Sequence, residues 1–484
     1  MRRRPELRRA GGRAALAVAT LAAATATWAA EAELLQAARR GDYVAVQRLL
    51  KTTDADVHAA DGMTALLWAA QANDVELARL LLESGADPNR ANRYGITPLW
   101  LAATNRSPSM VELLLQHGAR ADAALPHGET ALMAAARAGD VDAVELLLEA
   151  GADPNAADAS LGETALMWAA AENHADVIRV LVAGGADPNQ ASRELNLPPM
   201  LWEQTGMVST VLPVGGWTPL MLAARQNARD AAIALVEVGA DIDAQDPDGT
   251  TALHLALINH HFDLAADLLR AGADPNVADR AGMTALYASV DMVTPQRHIG
   301  RPPLPRHSKL SALDIIEMAL AAGADPNAQL SAPPLENYRG GFPDRAMGAG
   351  TTALMRAARS LDVEAIRLLL AAGADPNLTQ ANGTHVLFFL AGARDEKDAA
   401  RVEEVFGLLV GAGADVNAAT AQGETPLHRA ARQGNAKLAA LLVEHGARID
   451  ARDGAGRTAL DVATQTDSEG SRAIAEMLSR LGER

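Results

Sequence analysis

Apolar residues along this chain recur on a helical period, stop, and start again at a fixed interval. One cycle is residues 63–95, MTALLWAAQANDVELARLLLESGADPNRANRYG. Leu66, Ala69 and Ala70 mark one face of a short first helix whose small side chains admit a close neighbour. Val75, Ala78, Leu81 and Leu82 fall on one face of a second helix. Thr64 predicts an N-cap, its hydroxyl accepting an orphan amide of the first turn. Pro98, Pro219 and Pro426 follow the equivalent threonine in sister cycles, at the first helical position, where proline is tolerated. Asn73-Asp74 predicts the turn between the helices, and Gly85 a left-handed helix end. Asp87-Pro88-Asn89 opens an extended, hairpin-like loop closed by Gly95.

The cycle is repeated along nearly the whole chain. TAL or TPL begins at Thr64, Thr97, Thr130, Thr164, Thr218, Thr251, Thr284, Thr352, Thr425 and Thr458, with a degenerate HVL at His385. GADPN or a close variant begins at Gly85, Gly118, Gly151, Gly185, Gly239, Gly272, Gly323, Gly373, Gly413 and Gly446. The commonest spacing in both series is 33 residues, and TPLH stands intact at Thr425–His428. On these residues the chain resembles the ankyrin-repeat family over about residues 33–484. The resemblance implies an all-α solenoid of about twelve helix-turn-helix repeats with β-hairpin-like loops, each repeat stabilised by its neighbours. Residues 33–51 hold both helices without the TPL entry, and residues 457–484 close on a more polar helix, as terminal caps would.

Composition adds a destination. Residues 1–13 carry six arginines, and an uncharged, Ala-rich run from Ala14 to Ala30 follows, with small residues at Ala24-Thr25-Ala26 and Ala30-Glu31-Ala32. That order reads as a signal peptide over residues 1–32, against a retained anchor, for which the run is short. It points to a periplasmic or secreted, bacterial protein. Removing residues 1–32 takes the net charge from −17 to −21. So acidic a chain repels phosphate backbones and argues against nucleic-acid partners. No later stretch is apolar and long enough to span a bilayer. The absence of cysteine removes disulfides, thiolate zinc sites and iron–sulfur clusters.

Three insertions interrupt the period. Residues 190–216 are unusually apolar and include Trp202. They either fold back on the repeats or present an apolar contact surface. Residues 292–311 separate two helices of one repeat and are basic, with Arg297, His298, Arg301, Arg306, His307 and Lys309. They hold an anionic ligand or dock on the protein's own acidic face. Residues 329–349 extend the next loop and include Tyr338. A shorter expansion near Ala393–Glu404 lengthens a later repeat.

In the family resembled, partners contact the loop tips and the exposed end of the first helix. The matching positions here hold Arg39, Arg40, Arg137, Arg225, Arg359 and Arg432, with Gln71, Asn105, Glu172, Gln226 and Gln433 in equivalent places. Two readings stand: cations placed to suit helix C-termini, or a groove for an acidic segment of a partner. Met63, Tyr94, Ile96, Trp217 and Met283 precede TAL or TPL at the loop tips and read as exposed anchors, whereas Trp68 and Trp168 read as core. Trp100, Met133, Met167, Met221, Tyr287, Met355 and Phe388 stand where the family has a histidine bonded within its own turn; His254 and His428 keep it.

No chemistry-bearing motif competes. His254, His260 and His261 lack a carboxylate at metal-ligand spacing, and the repeated aspartates are turn residues. No phosphate loop, G-x-S-x-G or HExxH string occurs in a suitable setting. The chain reads as a monomeric, non-catalytic protein-binding module without cofactor or metal. A multi-component envelope scaffold and a small-ligand or metal binder using residues 292–349 are the alternatives.

Overall fold

The computed structural model describes residues 28–194, 200–202, 207–209, 215–293, 308–334, 346–393 and 396–482, with the backbone alone at 200–202, 207–209 and 396–397. Among the described residues the regular elements are helices, joined by loops, with one short ribbon, as expected of the repeat pattern. They fall into two compact units, residues 1–195 with 215–240, and residues 196–214 with 241–484. Six helix pairs lie in each unit among the described residues.

The repeat at residues 63–95 explains the others. Thr64 is extended and its hydroxyl accepts the Leu67 amide at 3.1 Å, so Ala65–Gln71 starts there. Asn73 adopts φ +56°, turning the chain. Asp74 then caps Val75–Glu83 by accepting the Leu77 amide at 3.0 Å. The second helix buries Leu77, Ala78, Leu81 and Leu82. Val75 is only half-buried, so the buried stripe begins two residues later than the periodicity suggested. The loop that enters it folds as an open hairpin, closed by a bridge between His58 and Thr64, with equivalents at Ala124–Thr130 and Ala157–Thr164. Gly62 is required twice over. Its φ is +84°, and a Cβ there would sit 2.8 Å from the amide nitrogen of Arg93, which donates to the Asp61 carbonyl of the preceding loop.

Loop side chains tie each repeat to the next. Asn89 Oδ1 accepts the Arg120 amide at 2.8 Å while Nδ2–H donates to the Gly118 carbonyl at 2.9 Å. Asn155, Asn276, Asn327, Asn377 and Asn417 repeat this two-way contact. Asp56, Asp122 and Asp243 occupy the same position and accept the amides of Asp87, Asp153 and Asp274. An ionised carboxylate has no N–H to return, so these steps carry one bond instead of two. Burial pushes the Asp243 carboxyl pKa up, and the charges of Asp274 and Asp241 add to it, against the amide of Asp274.

A second link runs through histidine, and it corrects the expectation of a bond confined to its own turn. His254 Nε2 meets the carbonyl of Met283, in the following repeat, at 2.9 Å. Its Nδ1 lies 3.0 Å from the Thr251 hydroxyl. A carbonyl can only accept, so Nε2 carries the proton and Nδ1 is left bare to accept from Thr251. His428 spans to the Arg457 carbonyl in the same way, at 2.9 Å. At Met133 a sulfur faces the Thr130 amide at 3.5 Å and the cross-repeat link is lost. His385, in the degenerate HVL copy, supplies the helix cap itself, accepting from Leu387, and reaches the Asp415 carbonyl at 2.7 Å.

The insertions leave the repeats intact. The first departs from a stem in which Ser192 and Trp217 exchange backbone and hydroxyl hydrogen bonds at 2.9 and 3.0 Å. It contains an antiparallel ribbon, β1 (Met200–Trp202) with β2 (Met207–Ser209), which pairs Trp202 with Met207. Its side chains, that of Trp202 included, lie outside the described residues. The second insertion returns at residues 308–311, where the Lys309 and Leu310 amides donate to Asp263 and Ser308 Oγ–H donates to the His260 carbonyl. Arg297, His298, Arg301, Arg306 and His307 lie outside the described residues, as does Tyr338 in the third insertion. The third returns through a buried Met347 and closes between Leu330 and Thr351. The fourth expansion lengthens the second helix of its repeat to Glu396–Gly411, beside a 3-10 turn at Val386–Gly392.

Two stability measurements follow. Asp122→Asn, which restores the missing donor toward the Gly151 carbonyl, should raise the urea-unfolding free energy by about 0.5–1.5 kcal/mol, and Asn377→Ala should lower it by about as much. The His254 pKa, depressed to about 4 chiefly by burial, makes stability acid-sensitive. The unfolded imidazole protonates near its ordinary value of 6.5 and the folded one does not. Stability is therefore complete above pH 6.5 and falls as the pH drops toward 4, by about 3 kcal/mol from this group. His254→Met should flatten that acid slope, as read from unfolding free energy against pH.

Candidate functional site

The first helices of successive repeats present their C-terminal ends side by side, and three columns of side chains line that face. One column is the residue after the Ala-Ala pair, one is the fourth residue after the capping threonine, and one is the residue just before it. In the first unit these columns interlock through arginine and tryptophan. The Arg39 guanidinium lies 5.0 Å from the ring centre of Trp68 in the next repeat, and that of Arg137 lies 5.3 Å from Trp168. Arg225 lies 4.7 Å from Trp217 of its own repeat. Such contacts are worth about 0.5–1 kcal/mol at exposed sites.

Trp68 and Trp168 are therefore not core residues as their position inside the helix suggested. Both are half-buried, with one face given to an arginine of the preceding repeat. Met63 and Met283 correct the sequence reading in the opposite direction, since both are buried beneath the loops. Ile96 is half-buried, whereas Tyr94 is 57% exposed and pairs with Arg93 through ring and hydroxyl.

Arg137, Arg225 and Gln226 come together around one open cavity of about 280 Å³, lined also by Glu163, Met167, Trp168, Ala171, Glu172 and Leu222. Trp168 Nε1–H donates to Glu163 Oε2 at 3.1 Å, fixing the indole across the cavity. Burial pushes the Glu163 pKa up and the nearby Asp158 charge adds to it; the Trp168 hydrogen bond and the Arg225 charge pull it back. Trp100 uses its indole N–H in the same way, on Glu129 at 3.2 Å. Asn105 instead caps the preceding repeat, donating to the Ala70 and Gln71 carbonyls. Arg40 is exposed beside Arg39. Tyr94 lies at the loop edge, next to a cavity lined by His58, Asp87, Arg90 and Arg93, and not in the groove.

The second unit fills the same columns with ion pairs. Arg356 occupies the position of Trp168, and Asp291 of the preceding repeat occupies that of Arg137. They form an ion pair at 2.5 Å with side chains only 3% and 7% exposed. Neither residue was singled out in the sequence, although the alternation of columns between neighbouring repeats contains the signal. Arg429 grips Glu424 with two bonds, at 2.9 and 2.8 Å, and Arg432 adds a third contact at 3.0 Å. Arg359 is exposed at the end of Ala353–Arg359.

The family described as "Ankyrin repeats (3 copies)" matches residues 34–124, 120–192, 201–279 and 393–483, and "Ankyrin repeat" matches residues 349–380. The chain belongs to the ankyrin-repeat family. Ankyrin repeats are generally protein–protein interaction modules, typically non-catalytic. The potassium channel AKT1 of Oryza sativa is 47% identical over 62 residues, 13% of this chain and 7% of the channel. The human ankyrin repeat and SOCS box protein 16 is 40% identical over 109 residues, 22% of this chain and 24% of that protein. The ankyrin chain thus spans less than a quarter of the length of these relatives. Among the described residues no three His, Asp or Glu side chains converge as a metal would require, and no helix is long and apolar enough to cross a membrane.

The buried pair in the second ankyrin unit gives a sharp stability test. Arg356→Met, which takes a buried guanidinium away from Asp291, should lower the unfolding free energy, and adding Asp291→Leu should recover part of that loss in chemical denaturation.

Proposed function

We propose that this ankyrin-repeat protein is an exported binding protein that holds a protein partner along the groove of its first helices. The observation that carries this reading is the set of exposed arginines fixed on tryptophan rings around the cavity of Arg137, Trp168 and Arg225. Aromatic and arginine side chains held in place before contact lose little freedom on binding, and they dominate interface energetics. The scaffold supports them from behind: Leu222, Met167 and the Ala-Ala pairs are buried, so the groove wall is rigid. The basic run followed by the apolar segment in residues 1–32 supports passage out of the cytoplasm, to a periplasmic or secreted location in a bacterium.

A photo-crosslinking residue at Gln226, in chain recovered from its native host, should capture one partner in stoichiometric yield. Arg137→Glu with Arg225→Glu should abolish that product. A product that survives the double charge reversal sinks the groove reading, and several weak products point to a scaffold instead. Fusing residues 1–32 to a reporter active only outside the cytoplasm checks export; a reporter retained inside sinks that part.

A further inference from the structure

We infer that the groove of the first unit takes an extended acidic peptide whose carboxylates meet Arg137 and Arg225 while an apolar side chain between them settles on Trp168. This rests on the interaction reading above and adds the chemistry of the occupant.

The two units treat the same positions differently. In the second unit every groove guanidinium for which a partner is described is already neutralised from within: Arg356 by Asp291, and Arg429 and Arg432 by Glu424. In the first unit Arg39, Arg137 and Arg225 lie on rings, and among the described residues none of the three forms an ion pair with a carboxylate. Glu163 acts on Arg225 by its charge without ion-pair contact; its oxygen is given to the Trp168 indole. A guanidinium carries five N–H donors in one plane, and the planar group that matches them in pairs is a carboxylate. The donors of Arg137 and Arg225 make no protein hydrogen bond among the described residues, and ring contact has already fixed the side chains that carry them.

The lining also sets the pattern of the occupant. Trp168, Met167, Ala171 and Leu222 give an apolar floor between the two guanidiniums, and a cavity of about 280 Å³ accommodates an aliphatic side chain. Glu163 and Glu172 border the same space and repel a peptide that is acidic at every position. The sequence that satisfies both places an acidic, an aliphatic and an acidic residue at every second position, with small neutral residues between them. In an extended strand, side chains two residues apart share a face, so the apolar residue is flanked by carboxylates on either side.

The test is fluorescence anisotropy of the full chain with labelled heptapeptides Ser-X-Ser-Leu-Ser-X-Ser, in which X is Glu (the Glu-Leu peptide), Lys (Lys-Leu) or Gln (Gln-Leu). Glu-Leu should bind, weaken about tenfold in Arg137→Gln and again in Arg225→Gln, lose affinity as salt is raised, and be unaffected by Arg432→Gln in the second unit. Circular dichroism of the variants verifies that these exposed substitutions leave the helices intact. If Gln-Leu binds equally well and is weakened by the same substitutions, the acidic class is overturned while the groove stands. If Glu-Leu binds but ignores Arg137→Gln and Arg225→Gln, both this proposal and the groove reading fall. If none of the three binds, this proposal falls and the crosslinking result at Gln226 decides the groove on its own.

Discussion

A repeat of this chain completes its hydrogen bonding only by reaching into the one that follows. The loop asparagine gives its carbonyl to the neighbour's backbone amide and its amide to the neighbour's carbonyl, so a single side chain satisfies one donor and one acceptor across the junction. Beneath it, Leu77, Ala78, Leu81 and Leu82 and their counterparts bury the apolar face that a lone helix pair would leave wet. Short helices of seven to nine residues are not stable by propensity. They persist because neighbours cover them, and many are also capped locally, by threonine at first helices and by aspartate at several second ones.

Rigidity of that kind leaves the exposed ends of the first helices free to vary, and they have been filled in two ways. The first unit sets cations on aromatic rings, whereas the second sets them against carboxylates, with Arg429 meeting both Glu424 and the Phe388 ring. Both arrangements include contacts that cross from one repeat to the next, Arg39 to Trp68 and Arg137 to Trp168 in the first unit and Arg356 to Asp291 in the second. Only the former leaves hydrogen-bonding capacity for another molecule. The difference lies in a few residues, Trp68, Trp168 and Trp217 against Asp291, Arg356 and Glu424, at matching positions of the repeat.

Much of this was legible in the sequence, because the period, the capping threonines and the glycine-closed loops are local signals. Thr64, Asn73, Asp74 and Gly62 act as their residue types dictate. The groove arginines were also legible, through the position they share. What escaped were contacts between repeats. Arg137 and Trp168 are 31 residues apart, and Arg356 and Asp291 are 65 apart because two insertions lie between them. Periodicity within one repeat could not show that a tryptophan inside a helix faces a neighbour's guanidinium, nor that Met63 and Met283 turn under their loops. Burial of Leu77 in place of Val75 is a smaller case, which the pattern alone did not fix.

The alternation of asparagine and aspartate along the loops also sets how the array comes apart. In the first unit the junctions at Asp56 and Asp122 hold by one strand of hydrogen bonding where those at Asn89 and Asn155 hold by two. Under tension, or during digestion by a protease, detachment would begin at the singly held seams and release helix pairs in blocks. The chain thus carries its own perforations, written in the choice between an amide and an acid.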